Sequence, residues 1–160
     1  MSDGHPPAPE ASGPPGRAIV RASWAGTGVF AVVAVAATVA DAAVGGLVAV
    51  SVVLFALGIG AFLAAYVRAI GRSRYEAIGM GGLFLLAGTA PAAVQRSLLG
   101  SLAVQVVVAF TTASIRIYTP VAFGLLVPMY GLGLAGWWGA THGVFPPRPA
   151  GEGEGSRPAG

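Results

Sequence analysis

The chain has 160 residues, of which 55% are hydrophobic and only 9% charged, far below the roughly 25% charged residues of an average soluble domain. So few charges exclude a soluble domain with a polar surface over its core, and the absence of cysteine excludes disulfides, thiolate chemistry and cysteine-ligated metals. The pI near 10 comes from arginines at the ends of apolar segments, not from a basic face interleaved with aromatics, so the expected partner is anionic lipid headgroups and not nucleic acid.

Residues 1–16 ("GHPPAPEASGPPG" at their end) and 146–160 ("PPRPAGEGEGSRPAG") are rich in Pro, Gly, Ala and Ser and have no apolar periodicity. Such segments bury too little surface to offset their ordering entropy, and both are expected to be disordered tails around a helical bundle over 17–145. The long, proline-rich N-region with Asp3 and Glu10 reads as a tail and not as a cleaved signal peptide, although "ADA" at 40–42 mimics a small-residue cleavage site.

From residue 24 to 67 the chain is almost unbroken apolar sequence, enough for two spans at about 20 residues each. The first is expected over 24–40 with Ser23 as N-cap, the turn at "ADAAVGG", and the second over 47–66, ending before Arg68, Arg72 and Arg74. These three arginines are expected to anchor on lipid headgroups, and Arg72 is spaced to pair with Glu76.

The third apolar stretch, 78–87, is only about half a bilayer long at 1.5 Å per residue. Two topologies follow. If this glycine-rich stretch is re-entrant or interfacial and turns back, the fold has four full spans, and Arg17, Arg21, Arg68, Arg72, Arg74, Arg96, Arg148 and Arg157 share one side while only Arg116 lies on the other. If it crosses, there are five spans and the arginines are divided between the two sides. Because cytoplasmic loops carry the excess of positive charge, four spans with a cytoplasmic N-terminus is the expected arrangement and five spans the alternative.

The fourth stretch, 97–115, places Ser97, Ser101, Gln105, Ala109 and Thr112 on one helical face. That face is expected to join helices by hydrogen bonds; the other reading is a narrow hydrophilic path. The fifth, 120–140, starts with Thr119 as cap and Pro120 at the first helical position, with a bend expected at Pro128. It carries Gly131, Ala135 and Gly139 at four-residue intervals, a small-residue seam that lets helices approach closely. Asp41 falls in the first turn and, with four spans, lies on the same side as Arg116, within reach of an ion pair. His5 and His142 are isolated, so no metal site is expected, and no cofactor motif or catalytic set appears.

The runs "GRSRYEAIGMGGLFLLAGTAP", "LLGSLAVQVVVAF" and "LVPMYGLGLAGWWGATHGVFPPR" cover most of 71–148. In their wording the chain resembles small uncharacterised integral membrane proteins of actinobacteria, a resemblance that implies an all-α, polytopic membrane protein and no activity. The sequence as a whole predicts no enzyme. It predicts a structural or accessory subunit of the bacterial plasma membrane that packs with itself or with a larger envelope complex; the alternative is a small transporter or channel subunit built around the Gln105 face.

Overall fold

The computed structural model describes residues 15–147. The two expected tails lie outside the described residues, apart from 15–16 and 146–147, and Arg148, Arg157 and His5 lie outside them too. The fold is all-α, with four helical segments long and apolar enough to cross a membrane, Arg17–Val39, Asp41–Arg72, Ala92–Ile115 and Pro120–His142, plus a shorter helix. The α-helices are α1 (Arg17–Val39), α2 (Val44–Arg72), α3 (Met80–Phe84), α4 (Ala92–Ile115) and α5 (Pro128–His142).

Several boundaries differ from the sequence expectation, each for a local reason. α1 starts at Arg17 after Gly16, which takes a left-handed conformation (φ 76°), and no side chain caps it. Ser23 is therefore no cap: it is fully buried inside the helix, because the two arginines ahead of it prolong the helix into the polar headgroup zone. Gly45 and Gly46 fall inside α2, and the chain turns earlier, at an extended Ala40 and a single 3-10 turn over Asp41–Ala43. The last span is divided. Residues Pro120–Leu126 are 3-10 helix, and α5 begins at Pro128, whose ring takes the first helical position where no N–H is needed.

Helix direction follows from the paired residues. Ser23 meets Ser101, Thr27 meets Gln105, and Arg116 reaches the Ala37 carbonyl, so α1 and α4 are parallel. On the other side Gly58 packs on Tyr130, Ala65 lies by Gly136, and Arg72 reaches Ala140, so α2 and α5 are parallel. α2 descends as α1 ascends, and the bundle is an alternating four-helix array in which α5 is the most enclosed member.

This geometry decides the course of residues 73–91. α2 ends, and the parallel pair α1 and α4 begin, at the same end of the bundle, so the connection returns to the side it left. It enters to a definite depth. Phe84 stacks on Phe62 with ring centroids 4.5 Å apart, and Phe62 lies about three turns, or about 15 Å, before the end of α2. That is about half the hydrocarbon thickness of a bilayer. The chain reverses at Leu86 (φ 57°) and Gly88 (φ 71°). Leu86 holds a conformation that costs a branched residue free energy, and its fully buried side chain is locked among Leu98, Ala135 and Trp138. At the membrane surface the segment is tied to the end of α5: Ala77 N–H donates to Pro146 O (2.9 Å), Val144 N–H to Thr89 O (3.0 Å), and Glu76 pairs in a single antiparallel bridge with Pro147.

The distribution of polarity is the reverse of a soluble protein. Val32, Val39, Leu57, Val67, Val107 and Phe110 are exposed on the outer faces of α1, α2 and α4, while Ser23, Thr27, Ser51, Ser101 and Gln105 are buried. Apolar surface of that extent needs a lipid bilayer around it.

Candidate functional site

The polar face of α4 is the chemical centre of the bundle, and α1 supplies its partners. At the outer edge of this row, Trp24 Nε1–H donates to Ser97 Oγ at 2.9 Å. One turn deeper, Ser23 and Ser101 hydroxyls lie 2.5 Å apart, both fully buried. Ser101 Oγ also lies 2.9 Å from Leu98 O, which can only accept, so Ser101 spends its hydrogen there and Ser23 is the donor between the two hydroxyls. Another turn on, Gln105 Nε2–H donates to Thr27 Oγ1 at 2.7 Å, and Thr27 donates to Ser23 O at 2.8 Å. Gln105 Oε1 then accepts the backbone N–H of Gly131 at 3.2 Å. One fully buried side chain thus connects α1, α4 and α5.

Ala109 and Thr112 continue the face. Ala109 joins the apolar core with Phe30 and Ala34, while the Thr112 hydroxyl turns back onto the Val108 carbonyl at 2.8 Å. The row ends at Arg116. Its guanidinium pairs with Asp41 and donates to Ala37 O at 2.8 Å, covering a carbonyl at the C-terminal end of α1.

Gly131, Ala135 and Gly139 all face inward within the chain. A Cβ on Gly131 would lie 2.8 Å from Gln105 Oε1 and 3.2 Å from the Leu102 backbone; one on Gly139 would collide with the Leu83 carbonyl. Ala135 is buried with Leu86, Leu98 and Trp138. The seam therefore admits α4 on one stretch and the re-entrant segment on another. A second set of glycines, which the four-residue spacing does not reveal, carries the contact with α2. A Cβ on Gly58 would lie 2.5 Å from Tyr130 N and 2.6 Å from Met129 O, and one on Gly133 would strike the Gly58 carbonyl. The signal for this pair is only the coincidence of one glycine in each of two helices, which has no meaning until their register is known.

The arginines after α2 divide by role. Arg72 is half-buried and engaged on all sides: it donates to Ala140 O (3.0 Å) and Gly143 O (3.1 Å), pairs with Glu76 (2.8 Å), and lies over the Phe145 ring. Arg68 donates to the same Ala140 carbonyl at 3.3 Å. Both act as caps on the C-terminal end of α5, where cationic groups are favoured. Arg74 is exposed. Trp138 is buried against Gly16 and stacked on His142, with ring centroids 5.4 Å apart. His142 shares a 2.7 Å contact with the Thr141 hydroxyl, and no group of three or more potential metal ligands occurs among the described residues.

The arrangement can join helices by hydrogen bonds and close glycine contacts. Comparisons with protein-family models, curated proteins and solved structures return no match to this chain.

Proposed function

We propose that this chain is a structural or accessory subunit of the bacterial plasma membrane, packing with itself or with a larger envelope complex. The observation that carries the reading is the state of the α4 face: Ser101 and Gln105 are fully buried and each is bonded to another helix, so the polarity of this face is consumed in joining helices. The surface left for a partner is apolar, along the exposed valines and leucines of α1 and α2. An actinobacterial origin, as the wording of the sequence implies, belongs to the same proposal.

Orientation rests on charge. Arg17, Arg21, Arg68, Arg72, Arg74 and Arg96 lie at one end of the bundle with Glu76, while Arg116 and Asp41 neutralise one another at the other. The excess of arginine marks the first end as cytoplasmic, with the N-terminus on that side. Affinity capture of the intact chain from native membranes after mild solubilisation is the test. Recovery with a second copy or a second membrane protein is the expected result, and recovery as an isolated monomer overturns it.

A small transporter or channel subunit is the second reading, favoured by one feature: the irregular backbone of 85–91, set beside α5, since such backbone at membrane depth belongs where it lines a cavity or is buried in protein. Its path would run by Gln105. Solute or ion flux in reconstituted vesicles supports that reading, and flux that is abolished by Gln105→Leu locates it.

A further inference from the structure

Because α1 and α4 are parallel, their N-terminal ends lie side by side at the arginine-rich end. Neither end has a side-chain cap, and neither first turn has an acidic residue. Between them opens a groove of about 440 Å³, within the ~300–1,000 Å³ usual for small-molecule sites. Val20, Val94, Ala93 and Trp138 form its apolar walls, and Arg17 and Arg21 line it from one face of α1, four residues apart. Neither arginine makes an ion pair among the described residues, in contrast to Arg72 and Arg116. No acid is among the lining residues. Two guanidiniums and the partial positive charge of two helix ends therefore stand over an apolar floor.

We propose that this groove binds one anionic phospholipid, its acyl chain against Val20, Val94 and Trp138 and its phosphate held by Arg17 and Arg21. A small hydrophilic anion has no use for the apolar walls, and an uncharged lipid has no use for the arginines; an anionic lipid satisfies both. The groove opens at the end of the bundle where the headgroups of one leaflet lie. This site is independent of the accessory-subunit reading, because it needs no protein partner.

The test uses the purified full chain in phosphatidylcholine vesicles, with tryptophan fluorescence quenched by phosphatidylglycerol or by phosphatidylcholine carrying brominated chains. The anionic lipid is expected to quench at a mole fraction lower by a factor on the order of ten. Arg17→Gln combined with Arg21→Gln removes that preference, and so does Ala93→Phe, which fills the groove and leaves both arginines. Arg74→Gln, a headgroup contact outside the groove, lowers the preference by less than about fivefold and does not abolish it, since one exposed arginine near an anionic surface is worth no more than about 1 kcal/mol and salt screens it. Excess inorganic phosphate does not relieve the quenching. Equal quenching by the two lipids overturns the proposal, as does an Arg74→Gln effect as large as that of the double variant. Relief by phosphate, or a preference that survives in Ala93→Phe, overturns the chain-in-groove arrangement. Unfolding of each variant in detergent is followed in parallel; should Ala93→Phe fail to fold, the contrast between the arginine variants decides.

Discussion

Gln105 reaches two other helices from one side chain, accepting from Gly131 and donating to Thr27. Hydrogen bonds between membrane helices are worth about 0.6 to 1.7 kcal/mol each, because the unfolded helices also find partners in lipid. Gln105→Leu keeps the volume and removes both bonds, so it is expected to lower stability by about 1–2 kcal/mol, read from detergent unfolding of the purified chain. Arg116 and Asp41 make a less symmetrical pair. The Asp41 side chain is 86% exposed and that of Arg116 25%, and an exposed ion pair contributes about 0–1 kcal/mol. Arg116 also holds the Ala37 carbonyl, a bond that Asp41 does not share. Asp41→Asn is therefore expected to cost under about 0.5 kcal/mol and Arg116→Ala about 1–2 kcal/mol, measured in the same unfolding assay. Reversing both charges restores the attraction and leaves the carbonyl bare, so recovery is partial.

At the scale of elements, α5 is enclosed because its sequence offers a small residue where α2, α4 and the re-entrant segment approach. Gly131 and Gly139 receive α4 and the re-entrant segment, while Gly133 and Gly136 receive α2 and Phe84. Backbone-to-backbone approach at Gly58 and Gly133 cannot be relieved by a side-chain rotation. Gly58→Ala is expected to push α2 from α5 and cost about 1–3 kcal/mol, the usual range for overpacking. Gly60, one residue past Ile59 on the same helix, has nothing within 4 Å of its Cβ position. Gly60→Ala is expected to be neutral or stabilising by up to about 1 kcal/mol, through helix propensity alone. A paired thermal denaturation of the two variants checks the contrast; equal effects would mean that the α2–α5 approach is looser than described.

For the whole molecule, the parallel pairing of α1 with α4 and of α2 with α5 requires an even number of crossings. Both ends of the described residues then lie on one side and the loop at Tyr118 on the other. Topology reporters fused after residue 160 and before residue 1 are expected to report the cytoplasm, and one inserted at Tyr118 the exterior. Reporters at the two termini that disagree would contradict the fold, and agreement on the exterior would contradict only the orientation drawn from the arginines.

Hydropathy alone determined that this chain is a helical membrane protein, because lipid imposes long apolar runs that stand out in any reading of composition and length. The same reading marked the polar face of α4, the small residues of α5 and the arginine asymmetry, since all of these follow from spacing within one segment. What no segment contains is its neighbour. Which helix the Gln105 face meets, why Ser23 is a buried partner of Ser101 and not a cap, and where Gly58 meets Gly133 depend on the register between elements far apart in the chain. The course of residues 73–91 was likewise decided by packing: the segment, for which the sequence left both a crossing and a return open, turns back because Phe62, Gly136 and Gly139 offer it a place at half depth, and its ends are hydrogen-bonded to the terminus of α5.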